Sequence, residues 1–141
     1  MTVCVVDSSV AMKWYVPEVH SREASSLLDQ DHELHAPDLF FAEFANILWK
    51  KTRRQELSHD ESRQILMALA SVPIQIHPSE TLLDSALDTA IAYSRSVYDC
   101  LYLALAGSLG CRAVTADERL VNALQNTAIS GQIIHVRDWQ Q

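Results

Sequence analysis

Four carboxylates in this 141-residue chain occupy positions unlike those of ordinary solvated acids: Asp7, Glu43, Asp99 and Asp117. Asp7 ends the apolar run Val3-Cys4-Val5-Val6, so it falls at the carboxyl end of a buried strand; it would also suit the N-cap of a helix opening at Ser8. Glu43 shares a helix face with Leu39, Phe40, Asn46 and Ile47, most of which form an apolar stripe. A carboxylate turned into that stripe is costly unless it is paired or binds metal, whereas one at its edge reaches solvent or a cation. Asp99 opens the helix Tyr98-Asp99-Cys100-Leu101-Tyr102-Leu103-Ala104, which has almost no polar face. It either complements the helix dipole or faces a pocket. Asp117 follows a strand ending at Thr115 and is placed to cap the helix from Glu118.

Taken together, the four describe a chemistry that none describes alone. Two unit charges 4 Å apart repel by roughly 4 kcal/mol at an effective dielectric of 20. Converging carboxylates must therefore protonate in part or share a divalent cation. An all-oxygen donor set favours hard Mg²⁺ or Mn²⁺ over zinc. Carboxylate-held ions of that kind are a common device for phosphodiester cleavage.

The elements that would bring these acids together are short apolar strands alternating with helices. Strands are expected at Val3–Val6, Glu33–Ala36, Ile74–Ile76, Arg112–Thr115 and Ile133–Val136. Helices are expected at Ser8–Tyr15, stopped by Pro17; at Ser21–Gln30; and at Asp38–Arg54, with a wide apolar stripe. Further helices follow at Ser58–Ala70, from Ser79 as cap to Tyr93, at Tyr98–Leu109 before Gly110, and from Asp117 to Gln125. Ser58 with Glu61 three residues on forms a capping box. The alternation implies an α/β fold with a parallel sheet covered on both faces, and one domain over residues 1–141. In such sheets ligands gather at the carboxyl ends of the strands, where strand order reverses.

Composition excludes several other classes. Apolar residues make up 48% and charged residues 21%, the balance of a soluble globular protein. Cys4, Cys100 and Cys111 form no C-x-x-C pair; two lie in apolar runs, as expected of free thiols in a reducing cytoplasm. The amino terminus lacks the basic and apolar regions of a signal peptide, and no run is long enough for a membrane span, so a soluble, cytoplasmic protein is expected. The histidines show no zinc-ligand spacing; His32 and His35 suit a loop or edge strand, where the ring is solvated. The three glycines build no phosphate loop, dinucleotide fingerprint or nucleophile elbow. A phospho-acceptor receiver is excluded, since no Lys occurs after Lys51. The net charge of −7 is the wrong sign for a nucleic-acid binder, although Lys50, Lys51, Arg53 and Arg54 are packed into five positions. That cluster either complements a helix C-terminus or contacts phosphate.

With these residues in view, the chain resembles the PIN-domain nucleases, and in size and layout the VapC toxins. The resemblance runs through Val5-Val6-Asp7-Ser8-Ser9, then Pro37-Asp38-Leu39-Phe40-Phe41-Ala42-Glu43-Phe44-Ala45-Asn46. It continues through Tyr98-Asp99-Cys100-Leu101-Tyr102-Leu103-Ala104-Leu105-Ala106 and Val114-Thr115-Ala116-Asp117-Glu118-Arg119-Leu120. It implies a three-layer α/β/α sandwich with a short parallel sheet. It also implies a metal-dependent ribonuclease whose acidic quartet is Asp7, Glu43, Asp99 and Asp117, all acting as metal ligands, with Asp7 and Asp99 the direct ones. Thr115 matches a hydroxyl position beside the acids, and Ser8 and Asn46 suit supporting donors. The implied cofactor is Mg²⁺ or Mn²⁺, and the implied partners are an RNA substrate, a second copy in a homodimer and a cognate antitoxin. Trp14, Phe40, Phe41, Phe44 and Trp49 are candidates to line the antitoxin's groove, or else core residues. An RNA-processing nuclease without a toxin role and a non-catalytic interaction module are the alternatives.

Overall fold

The computed structural model describes residues 1–140. Five strands form one sheet: β1 (Thr2–Val6), β2 (His32–Pro37), β3 (Ile74–His77), β4 (Arg112–Thr115) and β5 (Ile133–His135). Their order is β3-β2-β1-β4-β5, and every neighbouring pair is parallel. The helices are α1 (Ser8–Met12), α2 (Ser21–Ser26), α3 (Leu39–Arg53), α4 (His59–Leu69), α5 (Leu83–Tyr93), α6 (Val97–Leu109) and α7 (Glu118–Leu124). Short 3₁₀ turns precede α5 and flank β5. The result is the expected three-layer α/β/α sandwich.

Its centre is the pairing of α6 with the sheet. Cys100 through Ala106 are all buried, as the nearly all-apolar sequence of α6 requires, and the helix packs on β1, β2 and β4 with α5 behind it. The other layer is led by α1 and α3, which touch each other and the sheet; α3 buries Phe40, Phe44 and Leu48. The three cysteines are free. No helix among the described residues is long and apolar enough to cross a membrane.

Several boundaries differ from the sequence expectation, each for a local reason. The α-helical part of α1 ends at Met12, and the chain continues to Tyr15 in turns whose N–H groups bond three residues back. The same tightening ends α2 at Ser26 while Leu27 and Leu28 bond three back. Ser79 does not cap a helix; its N–H and hydroxyl both donate to Asp38 Oδ1, and a 3₁₀ turn (Ser79–Leu82) intervenes before α5. Asp38 is thereby drawn away from capping α3. β5 stops at His135, whose Nδ1 accepts from Arg137 N–H and starts a turn at Val136. His35 corrects the expectation of a solvated ring. β2 is an interior strand, and His35 is buried, with Nδ1 2.8 Å from His77 Nε2 and Nε2 2.7 Å from Glu33 Oε1.

Candidate active site

Strand order reverses at β1, which pairs with β2 on one side and β4 on the other. Asp7 leaves β1 at its carboxyl end and donates its N–H to Val114 O of β4 at 3.0 Å, extending the ladder by one rung. Asp7 does stand at the N-cap of α1, its carbonyl accepting from Val10 and Ala11 N–H, but its carboxylate makes no capping hydrogen bond. Oδ2 instead accepts from Thr115 Oγ1 at 2.8 Å and from Ser9 Oγ at 2.9 Å, while Ser8 Oγ is 3.4 Å from Oδ1. Each of the two closer hydroxyls is itself anchored. Thr115 Oγ1 accepts from Asp117 N–H at 3.1 Å, and Ser9 Oγ accepts from Ala116 N–H at 3.2 Å. The loop between β4 and α7 thus grips Asp7 through two side chains.

The other acids arrive on helices. Ser96 caps α6 by accepting from Asp99 N–H at 3.1 Å, which leaves the Asp99 carboxylate free to turn toward the sheet end. One turn further along, the buried Tyr102 donates its hydroxyl to Glu43 Oε1 at 2.6 Å. That bond joins α6 to α3 and fixes the partly buried Glu43 within electrostatic reach of Asp7 and Asp99. Asp117 is exposed, and its Oδ1 accepts from Leu120 N–H at 3.2 Å, so it does cap α7, at the rim of the site. A narrow cleft lies among Asp7, Asp99, Tyr102 and Thr115, with apolar walls that include Leu120 and Ile133. Ser8 is buried beside Asp7, whereas Asn46 is exposed.

The charges respond to this crowding. Burial pushes the Asp7 carboxyl above its ordinary value, against the hydrogen bonds from Thr115, Ser9 and Ser8. Glu43 is pushed up to about 7, first by burial and then by the negative charges of Asp7 and Asp99, while the Tyr102 bond opposes the shift. Asp99 is raised by burial and by repulsion from Asp7 and Asp117, which Ser96 and Arg95 partly offset. Tyr102 is held far above the usual phenol value by burial and by Asp7 and Glu43. Asp7, Glu43 and Asp99 therefore interact electrostatically, and Asp117 reaches them through Asp99; of the four, only Asp7 and Asp99 line the cleft itself.

Among the described residues, no three His, Cys, Asp or Glu side chains stand close enough together to form a ready-made metal shell. Asp7, Glu43 and Asp117 are each engaged in the hydrogen bonds above. The donor set nevertheless suits a hard divalent cation: its donors are carboxylate oxygens, and they crowd together with Asp7 buried at the base. Sequence reasoning missed Ser9 and Tyr102. The available signals were a second hydroxyl beside Asp7 and a phenol on an otherwise apolar helix, since a buried Tyr hydroxyl needs a partner. Of the proposed groove aromatics, Phe40 and Phe44 belong to the core; Phe41 and Trp49 are exposed, and Trp14 donates to Ala24 O.

Comparison with known proteins agrees with this geometry. The PIN domain family matches residues 4–124. Ribonuclease VapC3 of Pyrobaculum aerophilum is 37% identical over 118 residues, covering 82% of this chain and 90% of that protein. The crystal structure of PAE2754 from Pyrobaculum aerophilum superposes with a TM-score of 0.70 at 25% identity, covering 96% of this chain and 85% of that one. A toxin–antitoxin complex from Klebsiella pneumoniae shares the fold at a TM-score of 0.62 and 9% identity, over 94% of this chain and 97% of that one.

Proposed function

Because the chain belongs to the PIN-domain family, we propose that it is a Mg²⁺- or Mn²⁺-dependent ribonuclease acting as the toxin of a cytoplasmic toxin–antitoxin pair. The observation that carries the chemistry is the gathering of Asp7, Glu43 and Asp99 at the switch point of the sheet, where burial raises all three carboxyls above their ordinary values and the negative charge of Asp7 adds to the rise in the other two. Asp7 and Asp99 would hold the cation directly, with Glu43 and Asp117 completing its surroundings. When bound, such an ion supplies charge stabilisation at a phosphodiester and lowers the pKa of water.

The chain's own residues supply position. Thr115 and Ser9 fix Oδ2 of Asp7 and so leave the carboxylate one preferred face toward the cleft. Tyr102 keeps the Glu43 carboxylate in place by donating to Oε1. Held there beside Asp7 and Asp99, Glu43 is suited to orient, and to accept a proton from, a water attacking an RNA phosphorus in line. The exposed Asp117 is suited to order water at the rim.

The partners in this reading are an RNA substrate, a cognate antitoxin and a second copy of the chain. For the last, α5 offers an exposed apolar stripe at Leu83, Leu87 and Ile91, spaced four residues apart. The deciding experiment is an RNA cleavage assay with metal titration on the wild type, Asp7→Asn and Asp99→Asn. Cleavage that needs the metal and is lost in both variants, with their circular dichroism unchanged, supports the reading. Undiminished metal-dependent cleavage by either variant overturns it.

A further inference from the structure

A second cleft adjoins the acidic site and has the opposite charge. Its walls carry Lys13 just past α1, Lys50 and Lys51 from the last turn of α3, Arg54 just past that helix, and a single acid, Glu18. Four of the chain's eleven cations thus line one hollow of a protein whose net charge is −7. The hollow also reaches Ser9 and Ala116; Ser9 donates to Asp7 and accepts from Ala116 N–H, so the two clefts are linked by hydrogen bonds although no residue lines both.

The cations are of two kinds. Glu18 bridges Lys51 at 2.8 Å and Lys13 at 3.6 Å, and the stems of both lysines are nearly covered, at 12% and 11% exposure. Lys13 also donates to Val19 O at 2.7 Å. These two lysines form an ordered floor. Lys50 and Arg54 are exposed, and among the described residues neither head group makes an ion pair. They lie seven and eleven residues after Glu43, so the 3.6-residue period sets Glu43, Ile47, Lys50 and Arg54 along one face of α3. From Glu43 to Arg54 that face runs about 16 Å at the helical rise. The Arg53 guanidinium by contrast stacks over Trp49 and takes no part in the cleft.

We propose that the cleft of Lys13, Lys50, Lys51 and Arg54 binds the phosphodiester backbone of the RNA strand, holding phosphates next to the one at the acidic site. This rests on the ribonuclease reading above. The physical need is clear: an acidic chain repels RNA overall, so productive docking requires a local strip of cations leading to the carboxylates. Glu18 is a positioning residue here, tying the Lys13 and Lys51 side chains into the wall of the cleft while leaving Lys50 and Arg54 unneutralised.

The test is the double substitution Lys50→Ala/Arg54→Ala, with Arg63→Ala on α4, outside the cleft, as the charge control. Binding of a fluorescent single-stranded RNA is measured by anisotropy at several salt concentrations, so the result does not depend on cleavage. The double variant is expected to bind roughly tenfold or more weakly, with its log Kd against log salt slope reduced by about 1.4, or about 0.7 per lost phosphate contact. In cleavage, KM should rise with kcat at saturating RNA unchanged. Equal RNA affinity and slope in the double variant and the wild type overturns the proposal, as does an equal loss in Arg63→Ala. Retained RNA binding with lost affinity for a poly-glutamate peptide gives the cleft to an acidic protein segment and also overturns it. RNA binding that depends on the cleft in a chain that cleaves no RNA separates this proposal from the enzymatic one, which alone would fail.

Discussion

Thr115 shows how much depends on single atoms at this site: one hydroxyl donates to Asp7 Oδ2 and accepts from Asp117 N–H, tying the first strand to the rim of the cleft. Thr115→Val keeps the shape and removes both bonds. Metal affinity or cleavage rate should fall by about 10–100-fold, as for other groups that orient ligands, with the fold retained by circular dichroism. A variant with wild-type rates would deny Thr115 any positioning role. Glu43 makes a separate prediction about pH. Its folded value of about 7 lies above the ordinary 4.5, so the folded protein holds the extra proton in that window and loses stability as pH rises through it. The upward shifts of Asp7 and Asp99 have the same sign. The depressed His77 and His135 act in the opposite sense below about pH 6.5, so the difference between wild type and Glu43→Gln isolates the effect. Without metal, the melting temperature of wild type relative to Glu43→Gln should fall between about pH 4.5 and 7, and added Mg²⁺ should raise the wild-type value near neutrality. A difference that stays flat or climbs through the window would contradict the crowding. At this scale the acids were legible because their types clashed with their surroundings. Tyr102 was not, because its meaning lies in a partner 59 residues away.

Among the elements, strands and long helices were legible from apolar runs and periodicity, and α6 most of all, since a helix without a polar face must be buried. The capping box at Ser58 formed as read, with both reciprocal bonds present. The start of α5 was misread because Ser79 answers to Asp38, 41 residues earlier, and a cap is a local inference that a distant acceptor overrides. α3 carries the widest range of duties: Phe44 anchors it, next to Glu43 in sequence. Phe44 is fully buried, stacked on Phe40 with ring centroids 6.2 Å apart and edge-on to Tyr15 at 6.2 Å. Phe44→Ala should cost about 3–5 kcal/mol in urea denaturation and loosen the Glu43 site with it. A loss under about 1 kcal/mol would mean the surroundings collapse to fill the space.

For the whole molecule, layer order and sheet direction followed from the alternation of strands and helices, but which strands are neighbours did not, because pairing is decided across the full length of the chain. The exposed stripe on α5 belongs to this scale too. Leu87→Asp is expected to shift sedimentation from dimer toward monomer, and a monomeric wild type at high concentration would remove the homodimer from the proposal. The Asp7–Thr115 bond joins residues 108 positions apart, and β1 finds β4 only when both have been made. During translation, then, a ribosome must release the chain through β4 before Asp7 can meet Thr115. A nascent fragment ending before β4 has no assembled centre, however well its earlier helices have formed.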